Sequence, residues 1–119
     1  QYYFTPYQQA PFAQPRNLML GHLLSALAGV TCSILLKEHI AIAAAAAVSL
    51  SIVLMHLTRS LHPPGGATAL IAIIGGNNIQ ALGFSYIFIP IGVGALILLV
   101  IALLVNNLSP HRRYPQYWF

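Results

Sequence analysis

Three stretches of this chain, residues 17–36, 40–59 and 84–105, run roughly twenty residues apiece with no formal charge except Arg59, which closes the second. That is the length an α-helix needs to cross a hydrocarbon core about 30 Å thick. Lipid leaves no water for unpaired backbone groups, so such segments are confined to helices or closed barrels. Continuous apolar runs, without in–out alternation, predict helices. The remaining composition agrees. Only 5% of the 119 residues are charged and 58% are hydrophobic, with a mean hydropathy of +0.77. A soluble domain spends about a quarter of its residues on charge.

The six charged residues, Arg16, Lys37, Glu38, Arg59, Arg112 and Arg113, lie beside or between the apolar runs. The net charge of +4 is not gathered on one face, so no nucleic-acid partner is expected. It reads instead as topology information, because cytoplasmic loops retain Lys and Arg. The single Cys32 excludes a disulfide framework. The polar and aromatic start predicts no cleavable signal peptide. Residues 1–15 hold three prolines, four glutamines and five aromatic residues, which predicts an interfacial arm. Residues 110–119, with Arg112, Arg113, Tyr117, Trp118 and Phe119, predict a basic and aromatic interfacial tail.

Within residues 17–36, Gly21, Ser25 and Gly29 recur every fourth position, a stripe that lets helices approach closely in lipid. Lys37-Glu38-His39 forms a polar loop. In the second run, Ser49, Ile52, His56 and Arg59 share a helical face. Proline is tolerated in a first helical turn, so His62-Pro63-Pro64-Gly65-Gly66 opens a short helix over residues 63–75. About 12 residues at 1.5 Å each span roughly 18 Å, which suits a half-helix or a short crossing. If it crosses, Arg16, Arg59, Arg112 and Arg113 share one side and Lys37 stands on the other. The positive-inside rule favours that path. The expectation is an all-α, polytopic membrane bundle of three long transmembrane helices and one short one, over residues 16–109.

Chemistry concentrates at residues 56–68. A helix start leaves backbone N–H groups unpaired at a positive dipole end. Gly65 and Gly66 admit a ligand to the backbone, while Arg59, His56, His62 and Thr68 add donors, with His22 and Asn17 beside them. This grouping predicts a small-anion site at a broken helix. Two blander readings stand beside it: Pro-Pro-Gly-Gly turns the chain, and Arg59 snorkels to lipid headgroups. No HExxH pair exists and Glu38 is the sole acidic residue, so neither a metal site nor a cofactor is expected. With no carboxylate base and no triad partner for Ser or Cys, the residues argue against an enzyme.

The segment LHPPGGATALIAIIGG resembles the signature of the HPP family of integral membrane proteins, at His62, Pro63 and Pro64. The likeness extends to Gln14–Asn17 with Gly21-His22, to LGFSYIFIP, to Asn106-Asn107 and to Arg112–Pro115, covering about residues 10–118. It implies a compact helical protein of four transmembrane segments. It also implies transport of a small inorganic anion such as nitrite, the activity associated with plant chloroplast and cyanobacterial members. A bacterial inner membrane is the expected location, with the chloroplast envelope or thylakoid as the alternative. Such members carry a further hydrophobic helix before Gln-Pro-Arg-Asn, where this chain has its aromatic arm. That departure raises the alternatives of an accessory subunit of a larger complex, completed by a homo-oligomer or membrane partner, and of a ligand-sensing domain.

Overall fold

The structure, a computed structural model, describes residues 10–119 and contains no strand among them. The arm expected over residues 1–15 lies outside the described residues as far as residue 9. Pro15 occupies the first turn of helix α1 (Pro15–Leu35), where its missing N–H is no loss. The polar loop at residues 37–39 turns the chain into α2 (Ile40–Leu57). The short helix α3 (Pro64–Ile74) follows, then the single turn α4 (Asn77–Gln80). A last helix opens with a wide, π-type stretch, Ile87–Gly92, broken at Ile89 (φ −132°, ψ 116°) beside Pro90. It continues as α5 (Val93–Asn106).

Three of these helices, Pro15–Leu35, Ile40–Leu57 and Ile87–Asn106, are long and apolar enough to cross a membrane. The helices start and stop within three residues of the runs read from the sequence. The second run ends two residues early, because Thr58 and Arg59 leave the helix. The third begins later than residue 84, because Phe84 still belongs to a turn.

Small residues set the packing. Helix α1 buries Gly21, Ser25, Ala28, Gly29 and Cys32, while α2 buries Ala43, Ala47, Ser51 and Met55 at four-residue spacing. A Cβ on Gly29 would stand 2.6 Å from the Ala69 carbonyl oxygen and 2.8 Å from the Ala72 Cβ. Only glycine lets α1 and α3 approach this closely. Cys32, Ala43, Ala47, Ala69 and Ile73 close the core at the far end. Large apolar side chains such as Leu35, Leu57 and Leu104 point outward, as lipid-facing positions do.

The short helix traverses the bundle. Its start lies beside Gly21, and a groove at its other end is lined by Ile73, Gln80, Ser33 and Lys37. The final helix returns, with Tyr86 packed on Val30 and Ala26, and Leu99 on Leu18. The Tyr114 hydroxyl then donates to the Ala13 carbonyl at 2.7 Å, and the Gln116 N–H to Gln14 Oε1 at 3.0 Å. Residues 10–16 and 114–116 therefore meet at one end, with Arg16 and Arg59, while Lys37 stands at the other. This is the distribution that the short-crossing path requires.

Candidate functional site

The linker between α2 and α3 is fixed from α1. Arg16 forks onto the end of α2, donating from both guanidinium nitrogens, at 2.7 Å each, to the carbonyls of Arg59 and Thr58. Asn17 donates to the Leu61 carbonyl at 2.9 Å. A Cβ on Gly21 would collide with the Cβ of His62, so the glycine seats the histidine directly against the helix. Gly65 is seated in the same way against Ser25.

Helix α2 ends in a tight cap. The Arg59 N–H bonds to the His56 carbonyl at 3.1 Å and the Ser60 N–H to the Met55 carbonyl at 2.8 Å. This pairing places Arg59 in the left-handed region, φ 52°, a position glycine usually fills. Thr58 donates to the Leu54 carbonyl at 2.8 Å and shares a 2.6 Å contact with the buried Ser60 hydroxyl.

At the centre stand two histidines. The rings of His22 and His62 meet edge to face, with centroids 4.9 Å apart. His62 Nδ1 lies 2.7 Å from the Phe12 carbonyl, which can only accept, so Nδ1 carries the proton and donates. His22 Nδ1 pairs with Thr68 Oγ1 at 2.8 Å, and the Tyr86 hydroxyl donates to the Thr68 carbonyl at 2.9 Å. Asn17, Ser25, His62 and Thr68 are all buried, a dense polar knot for a chain of this composition. Polar groups inside a membrane bundle are costly and mark functional positions by default.

The expected residues divide. His22, His62, Thr68 and Asn17 converge. Arg59 and His56 lie on the exposed side of α2, because its buried stripe is the one through Ala43, Ala47, Ser51 and Met55. Pro63 and Pro64 are exposed, and Gly66 lines an outer groove. The amides expected to hold an anion are already engaged. Gly65 N–H bonds to the His62 carbonyl at 2.8 Å and Gly66 N–H to the Pro63 carbonyl at 3.2 Å. His62 N–H points to Met55 Sδ at 3.4 Å, and the two prolines have no N–H to offer. His-Pro-Pro thus removes unpaired donors where the helix starts. Four contributors were not picked out from the sequence: Arg16, Met55, Tyr86 and the Phe12 carbonyl. Only Arg16 left a signal, as the charge inside Gln-Pro-Arg-Asn.

The match to known proteins falls on this same framework. The profile of the HPP transmembrane region matches residues 4–115. The chain belongs to the HPP family. This HPP chain is 52% identical over 114 residues to a transmembrane protein of Dictyostelium discoideum, covering 93% of this chain and 40% of that protein. It is 47% identical over 114 residues to a second transmembrane protein of the same organism, of which it covers 36%. The HPP region therefore spans about two fifths of the length of these relatives. No solved structure matches it. Family and helices together make it an integral membrane protein.

Proposed function

We propose that this HPP module conducts a small inorganic anion, nitrite being the candidate the family suggests, and that the His22–His62 pair is where the anion meets the protein. The observation that supports this reading is the 4.9 Å approach of two imidazoles inside the bundle. With His62 Nδ1–H held by the Phe12 carbonyl, Nε2 is the atom left to take a proton. An imidazole nitrogen can take either a proton or a hydrogen bond to an anion, so the pair has the chemistry to move the two together. An anion moving into an inside-negative compartment works against about 2.3 kcal/mol per 100 mV for each charge. A proton carried alongside it cancels that term.

The test is nitrite uptake by proteoliposomes holding the full-length protein under an imposed pH gradient. Uptake is expected to rise as the outside is acidified and to fall at least tenfold in His22→Ala and in His62→Ala. Uptake that ignores the gradient, or survives either substitution, removes the reading.

A second reading is favoured by the share of the relatives that the chain spans, 40% and 36%. In it, the module is a structural subunit, and the polar knot only locks helix α3 in place. Purification in mild detergent separates the two. A stoichiometric membrane partner, with no nitrite-dependent rise in melting temperature, favours the subunit.

A further inference from the structure

At the end of the bundle that carries Lys37, two small cavities meet. The outer one, about 60 Å³, is lined by Ser33, Lys37, Ile73 and Gln80 among others. The inner one, about 10 Å³, has room for on the order of one water, and Val30, Ala72, Ile79 and Tyr86 help to wall it. Ser33 and Gln80 line both. Beyond the inner cavity, the Tyr86 hydroxyl holds the Thr68 carbonyl, and Thr68 is the partner of His22. Residue by residue, the series Lys37, Gln80, Tyr86, Thr68 and His22 connects this end to the polar knot.

The turn α4 stands over both cavities. Its four residues sit between Gly76 (φ 90°, ψ 176°) and Gly83 (φ 54°). The first conformation is one that essentially glycine alone adopts. At both glycines nothing lies within 4 Å of where a Cβ would stand. Glycine populates either sign of φ with similar ease, so the chain is free to swing at these two points. Inside the segment the backbone bonds are local: Gln80 N–H to the Gly76 carbonyl at 3.1 Å, Gly83 N–H to the Gln80 carbonyl at 3.2 Å. Among the described residues, one hydrogen bond ties it to α3, from Gln80 Nε2 to the Ile73 carbonyl at 2.7 Å. That carbonyl belongs to the last turn of α3, where acceptors are left over. Ile79 packs over the cluster of Val30, Ala72 and Tyr86.

We propose that residues 76–83 form a gate. Swinging about Gly76 and Gly83, the segment releases Gln80 from Ile73 and joins the two cavities into a passage from Lys37 to Tyr86. The gate rests on the transport reading for its cargo, a small anion, and not for its motion. Lys37 is, among the described residues, the one charged residue that lines either cavity, so the mouth favours an anion. Glu38 and His39 follow it in the loop and line neither cavity.

The experiment measures how fast a cysteine behind the gate reacts. In full-length protein freed of its other cysteines and held in vesicles, Val30→Cys is treated with a small, membrane-impermeant thiol reagent. Reaction is expected from the side on which Glu38→Cys reacts and not from the other. Gln80→Leu keeps the bulk and removes the donor, and is expected to raise the rate about fivefold, the worth of one net hydrogen bond. Gly76→Ala is expected to raise it too, because alanine is strained in the closed backbone. Leu99→Cys, buried on α5 against Leu18, reads general loosening, and its rate is expected to stay unchanged in both variants. The proposal is overturned if Gln80→Leu leaves the Val30→Cys rate unchanged, if Leu99→Cys speeds up equally, or if the label arrives from the opposite side. No nitrite is present, so failed uptake in the transport assay would leave these rates standing.

Discussion

Arg16 does more for the site than any residue singled out for ligand binding. Its two planar donors reach adjacent carbonyls at the end of α2, where the helix leaves acceptors unpaired and the dipole is negative. Arg16→Ala should cost about 1–2 kcal/mol, the lower range of charge-assisted bonds because the arginine is half-exposed. Arg16→Lys should recover only part, because a point donor cannot fork. Chemical denaturation in mixed micelles measures both, and equal stability of Arg16→Ala and the parent would show that the fork is ornamental. Little of this could be read beforehand. In the sequence Arg16 is one more basic residue at a segment end, and the partner of His62 is the carbonyl of Phe12, an atom that every residue type carries. His22 and His62 were visible as polar residues near a helix break, but their edge-to-face contact depends on Gly21 being small enough to admit His62.

At the scale of elements, the stripe of Gly21, Ser25 and Gly29 was legible, because four-residue spacing of small side chains has one structural use in lipid. The face of α2 was not. Ser49, Ile52, His56 and Arg59 keep helical spacing, but so do Ala43, Ala47, Ser51 and Met55, and in a bilayer both the inner and outer faces are apolar. Polarity therefore fails to tell inside from outside, and size decides instead. The end of α2 was equally hidden, since the usual signal is glycine and here arginine takes the left-handed position. Gly29→Val tests the size argument. Added atoms would strike the Ala69 carbonyl and the Ala72 Cβ, and overpacking of this kind costs about 1–3 kcal/mol. Loss of helix α3 packing would appear as faster proteolysis or crosslinking at residues 75–83. An unchanged pattern would mean that the helices slide apart freely.

Helix α3, at eleven residues, runs from beside Gly21 to the groove by Lys37, and side chains fix the segments on either side of it. Arg16 and Asn17 satisfy carbonyls ahead of it, and Gln80 donates to the Ile73 carbonyl at 2.7 Å behind it. A crossing α3 would put the two ends of the bundle on opposite sides of the membrane. In a Cys32→Ala background, a cysteine at Glu38 and one at Gln116 should react with a membrane-impermeant thiol reagent from opposite sides of intact cells or vesicles. Labelling of both from one side would make α3 re-entrant and would place Lys37 with Arg112 and Arg113. By the positive-inside rule the Gln116 side is expected to be cytoplasmic.

The bonds that join Tyr114 to Ala13 and Gln116 to Gln14 bridge 101 and 102 positions of the chain. Gln14 is fully buried, and it holds that burial against a residue synthesised about a hundred positions later. At roughly 5–20 residues per second, a ribosome needs on the order of 5–20 s to pass from one to the other. Through that interval the neighbouring segment that carries Phe12, and with it the carbonyl that orients His62, waits for its anchor. The polar knot thus matures after the helices around it, and a nascent chain halted before Tyr114 would hold those helices without a finished histidine pair.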